Sequence, residues 1–140
     1  MAFQVTIFYE KKINDFIFIK DNIKNKLTSA LIPNNQNQSD PQELFSLSWI
    51  ICFYKTSQKI LLYKGFNDVD IKINLVSNLH KDQQGFYFEL ILKVGIENFS
   101  LDDIKVILEE AHQKCPISRM INKYNHLKIF PVNYQDILIN

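Results

Sequence analysis

The longest apolar run in the chain, Leu44 to Tyr54, follows a polar stretch from Pro33 to Ser39 and the signals that open a helix. Asp40 suits the N-cap, Pro41 the first helical position, and Glu43 at N3 can reach back to close a capping box. Apolar side chains then fall on nearly every face, the pattern of a helix enclosed by other elements. Gly65 after Lys64 is the usual residue just past a helix end, so the pattern predicts a central helix over 41–63, about 35 Å long at 1.5 Å per residue.

Before it, Phe3, Val5, Ile7 and Tyr9 alternate with Gln4, Thr6 and Phe8, close to the period of two of a half-buried strand. Lys11 to Asn14 reads as a polar turn and Phe16–Ile19 as a second strand, giving an N-terminal hairpin. Residues 23–32 are preferred as a third strand. Beyond the central helix, Val69, Ile71, Ile73 and Leu75 alternate with Asp70, Lys72 and Asn74, and a turn is expected over His80 to Gly85. Phe86 to Val94 returns as the partner strand, with Phe86, Phe88, Leu90 and Leu92 on one face.

Ser100 caps a second helix over about 101–115, with Asp102 and Asp103 in the first turn, where the helix dipole favours negative charge. Its inward stripe, Ile104, Leu108, Ala111 and Cys115, ends where Pro116 interrupts the helix. A further short turn over 117–122 and an edge strand over 127–131 complete the order: three strands, helix, two strands, helix, strand. No repeat is visible, and the expected fold is a single α+β domain over residues 1–140.

Composition narrows the function. The chain has 140 residues, 46% of them hydrophobic, enough for one real core and too few for two ordinary domains. A net charge of +1 without a basic stripe argues against nucleic acid. Lys55 and Lys59 break the apolar run well short of a membrane span, and Met1 to Ile7 lacks the features of a secretory signal, so a cytoplasmic location is expected.

Two cysteines in a reducing compartment are free thiols or a transient, functional pair. Cys52 lies in the middle of the central helix and Cys115 on the inward stripe of the second. If these helices pack together, one thiolate attacks an oxidant and the other closes a disulfide on the sulfenic acid; the alternative is two packed thiols. A reactive Cys52 requires a lowered pKa, and the helix N-terminus is too distant, about 16 Å along the axis. A cation must supply the effect, and Arg119, the only arginine, Lys11, Lys12 and a protonated His112 are the candidates. A zinc site built on His112, Cys115 and Cys52 is the rival use, but no paired ligand element supports it, and no metal is expected. Three glycines and three histidines assemble neither a phosphate loop nor a Ser-His-Asp arrangement.

Asp40-Pro41-Gln42-Glu43-Leu44-Phe45, then Cys52-Phe53, then Ala111-His112-Gln113-Lys114-Cys115-Pro116-Ile117-Ser118 together resemble the organic hydroperoxide resistance proteins of the Ohr/OsmC family. The Gly85-Phe86 turn and the helix from Leu101 to Cys115 stand in the same order, so the likeness runs from about residue 39 to 129. The resemblance implies an OsmC-like fold of antiparallel sheets with two main helices, in an intertwined homodimer with sites at the subunit interface. It also implies a peroxidase for organic and lipid-derived hydroperoxides, with Cys52 peroxidatic, Cys115 resolving, no bound cofactor, and a lipoylated or other dithiol protein as electron donor.

The chain departs from the family pattern at one point. The organic hydroperoxide branch follows the motif proline with a Glu that hydrogen-bonds a catalytic Arg from the N-terminal hairpin. Here Gln42 holds that position with Glu43 beside it, and the hairpin offers only Lys11 or Lys12. Either a lysine with Glu43 replaces the pair, although it lacks the bidentate fork, or Arg119 supplies the charge from another direction, as the basic residue after Cys-Pro-x-Ser in the OsmC branch suggests. Phe45, Trp49 and Phe53 are expected to make the substrate pocket apolar. The alternative is a non-catalytic member of the fold that holds an apolar ligand at the dimer interface.

Overall fold

The computed structural model describes residues 8–12, 15–20, 23–27 and 41–137. The expected strand residues Phe3 to Ile7, the Asp40 cap and the loop from Pro33 to Ser39 lie outside the described residues. The chain divides into two compact units, Met1–Phe45 and Ser46–Asn140, with the division falling inside the first helix.

The first unit contains a three-stranded antiparallel sheet, β1 (Phe8–Lys12), β2 (Asp15–Lys20) and β3 (Ile23–Leu27), in the order β1-β2-β3. Lys11 and Lys12, expected in a turn, instead pair with Phe16 and Asp15. Hydrogen bonding to a neighbouring strand carries polar residues that periodicity alone assigns to a turn.

The helix α1 (Pro41–Tyr63) has the predicted bounds. It ends in a Schellman arrangement: Phe66 N donates to Leu61 O at 2.9 Å and Gly65 N to Leu62 O at 3.0 Å. Gly65, with φ of +92°, takes the left-handed conformation that such a stop requires. Trp49, Phe53, Ser57, Ile60 and Leu61 form the buried stripe of α1. Leu47, Ile51 and Leu62 remain about half exposed, so within one chain the helix is covered on one side rather than enclosed.

The second unit holds a three-stranded sheet, β4 (Ile71–Asp82), β5 (Gly85–Ile96) and β6 (Leu127–Pro131), in the order β4-β5-β6. The hairpin is longer than its alternation suggested, because β4 continues through His80, Lys81 and Asp82. The Asp82 carboxylate closes the turn by accepting from Gln84 N at 2.8 Å and Gly85 N at 3.1 Å. Both faces of this outer arm are wet, which erases the apolar period that marks a strand. On β5 the inner face is Leu90, Leu92, Val94 and Ile96, all buried. On its other face Gly95 is held so close to Tyr134 that an added Cβ would lie 2.8 Å from the Tyr134 Cα.

The helices α2 (Leu101–Lys114) and α3 (Pro116–Ile121) lie between β5 and β6 in the chain, and β6 pairs parallel to β5. The second sheet is therefore mixed rather than wholly antiparallel, because a helical crossover returns the chain to the same end of the sheet. The Ser100 side chain accepts from Asp103 N, as expected of the cap. Ile104, Ile107, Leu108 and Ala111 complete the core.

Candidate functional site

Cys115 stands at a corner. It closes α2, its N–H donating to Ala111 O at 2.7 Å, and opens α3, its carbonyl accepting from Arg119 N at 2.9 Å. Pro116 creates that corner, since it has no N–H to continue α2 and a fixed φ that suits the first position of a new helix. The Cys115 side chain is fully buried and points at α1. Its Sγ lies 3.2 Å from Cys52 Sγ, with the Cys115 thiol donating. Both thiols are free, and Cys52 is the partly exposed one of the two.

One turn before Cys52, the Trp49 indole Nε1 donates to Ser118 Oγ at 2.9 Å, both residues being fully buried. Phe53 packs edge to face on Trp49, ring centroids 6.4 Å apart at 85°. One turn after Cys52, Thr56 Oγ1 donates to the Cys52 carbonyl at 2.8 Å, a back-bond that leaves the hydroxyl lying along the helix. Farther along, Glu110 joins Lys64 at 3.6 Å and Lys114 at 2.8 Å, tying the end of α1 to α2.

Burial pushes the Cys52 thiol above its ordinary value, because a charged sulfur loses hydration there. The Ile117 backbone N–H, which hydrogen-bonds this sulfur, pulls the other way, and the adjacent Cys115 adds to the rise. Two sulfurs this close do not both carry charge. Among the described residues no cation acts on Cys52.

Of the proposed cations, Arg119 lies exposed on α3, two residues past Ile117. His112 is half-buried on α2, its Nδ1 buried without a hydrogen-bond partner, and burial lowers its pKa, disfavouring the charged form. Lys11 and Lys12 are β1 residues of the first unit, where Gln42, Glu43 and Phe45 of the first turns of α1 also belong. Trp49 and Phe53 present no surface to solvent. Among the described residues, no three His, Cys, Asp or Glu side chains gather as metal ligands. Among the same residues, no helix is long and apolar enough to cross a membrane.

Ile117 and Ser118 are the residues of the site to which sequence reasoning gave no role. A signal for Ser118 was present: a buried indole needs an acceptor, and a small hydroxyl three residues past Cys115 is one.

A mixed α+β fold with two cysteines facing each other across two helices defines a class of thiol protein, and comparison with known proteins gives it a family. Residues 34–129 match the family model described as OsmC-like protein, and the chain belongs to that family. An organic hydroperoxide resistance protein-like 2 of Staphylococcus epidermidis is 32% identical over 85 residues, 59% of this chain and 60% of the relative. The match therefore spans about 60% of that relative's length. Among solved structures, the organic hydroperoxide resistance protein OhrB of Bacillus subtilis superposes with a TM-score of 0.76 at 18% identity, covering 93% of this chain and 98% of its own. An organic hydroperoxide resistance protein from Elizabethkingia anophelis superposes with a TM-score of 0.73 at 16% identity, covering 94% and 99%. At these identities the two structures share the fold with this chain.

Proposed function

We propose that this chain reduces organic hydroperoxides with its two cysteines. The observation that carries the reading is the 3.2 Å separation of Cys52 Sγ and Cys115 Sγ, about 1 Å more than a disulfide bond. The family, and the organic hydroperoxide resistance named for its relatives, support the peroxide class of substrate.

In the proposed reaction the Cys52 thiolate attacks the terminal oxygen of the hydroperoxide, and the O–O bond breaks. The alkoxide leaves, takes a proton to become an alcohol, and Cys52 is left as a sulfenic acid. The Cys115 sulfur then attacks Cys52, the S–O bond breaks, and water leaves as the disulfide forms. An external dithiol, of the lipoyl or a comparable type, returns two electrons and two protons. Holding the second thiol beside the first replaces a bimolecular step by an internal one, which limits further oxidation of the sulfenic acid.

Cys52→Ser is expected to abolish turnover of cumene hydroperoxide with a dithiol donor. After one equivalent of peroxide, mass spectrometry of the wild-type chain should find a bridge between the Cys52 and Cys115 peptides; unchanged turnover in Cys52→Ser would refute the mechanism. The raised Cys52 pKa favours a second reading, a non-catalytic protein holding an apolar ligand. Turnover separates the two, since the second reading has none at any pH.

A further inference from the structure

The two sulfurs are not the only place where α1 meets the corner at Cys115. Trp49 precedes Cys52 by three residues and Ser118 follows Cys115 by three, so the indole and the thiol of α1 share a face one turn apart. The same two residue positions on the other side answer them, hydroxyl to indole at 2.9 Å and thiol to thiol at 3.2 Å. A single contact leaves a helix corner free to pivot; two contacts one turn apart fix both distance and rotation.

We infer that the buried Trp49–Ser118 hydrogen bond is the clamp that sets the sulfur separation, making both positioning residues for the Cys52–Cys115 disulfide. Neither exchanges electrons; they act by holding the corner. The Lys64–Glu110–Lys114 link cannot substitute for them, because its side chains are 29–62% exposed and such pairs contribute little. The indole bond lies in the dry core, where losing one partner strands the other. This inference deepens the peroxidase reading, but its test uses no peroxide.

The experiment equilibrates the full-length chain with graded ratios of oxidised to reduced dithiothreitol, quenches with acid, and measures the Cys52–Cys115 disulfide by mass spectrometry. Each disulfide formed passes two electrons and two protons to the cyclic reagent, which opens to its dithiol. Ser118→Ala and Trp49→Phe should each lower the equilibrium constant on the order of 10-fold, since misplacement by about 1 Å costs intramolecular reactions up to about 100-fold. Trp49→Phe keeps an aromatic ring in the core while removing the N–H donor with part of the indole, so it tests the bond even if Ser118→Ala folds poorly. The double variant should fall no further than the lower single variant, because both remove one interaction. Ser118→Thr, which keeps the hydroxyl, should recover most of the constant, and Ile104→Val, which loosens the core three turns away, should leave it unchanged. Wild-type constants in both single variants, or an equal fall in Ile104→Val, would overturn the clamp. Peroxide turnover is measured separately with Cys52→Ser, so a failed peroxidase and a failed clamp give different results.

Discussion

The rate at which Cys52 reacts should climb steeply with pH. A thiol with the ordinary value of 9.0 is about one part in a hundred thiolate at pH 7, and burial places Cys52 above that value, so its ionised fraction there is smaller still. The thiolate is the reacting form. Alkylation by iodoacetamide, followed by peptide mapping, should therefore accelerate about tenfold per pH unit from 7 to 9 without reaching a plateau. Cys115 is fully buried and should lag at every pH, which makes the mapped rate that of Cys52. The first-turnover reaction with cumene hydroperoxide should show the same slope. A plateau already at pH 7 would refute the reasoning, and would mean that a positive charge from outside the described residues reaches the sulfur.

Linkage gives the same thiol a signature in stability. The folded chain holds the Cys52 proton more tightly than the unfolded chain does, so that contribution is fully present below pH 9 and fades as pH rises through the higher folded value; the melting temperature of wild type should thus lose more between pH 8 and 10 than that of Cys52→Ala, and equal losses would contradict it. Tyr134 donates to the Asp70 carboxylate, which pushes its phenol up to about 12; in Asp70→Asn one additional tyrosine should ionise near pH 10 in an ultraviolet titration, and an unchanged curve would count against the pair. Gly95→Ala would press a methyl against the Tyr134 backbone at 2.8 Å. Overpacking of about 1–3 kcal/mol exceeds the gain of about 0.4–1 kcal/mol from a stiffer unfolded chain, so urea unfolding should show a net loss.

Elements whose signals are local were legible in the sequence. Pro41 at the start of α1 and the φ of +92° at Gly65 past its end act through the backbone at those positions, and both bounds of the helix follow. The four-three-four stripe of α2 likewise placed Ile104, Leu108, Ala111 and Cys115 inside. What failed depended on neighbours. The outer arm of β4, with His80, Lys81 and Asp82, is held by pairing to Tyr87, Phe86 and Gly85 and buries neither face, so it carries no period to read. The direction of β6 is set by how α2 and α3 return the chain, which five residues of alternating pattern do not record. At the site, both cysteines could be named from spacing and resemblance. Their separation could not, because it follows from the crossing of α1 with a corner 63 residues away, and the Trp49–Ser118 bond joins residues 69 apart.

Cys115 occupies a joint whose amide and carbonyl are already committed to helices on either side. A sulfur mounted there has little slack and, from 3.2 Å, little distance to travel. Forming or breaking a bond between the two sulfurs should leave α2 and α3 nearly where they stand. Any second protein that distinguishes the two states must then read the chemistry of the sulfurs themselves, since the silhouette around them offers no message.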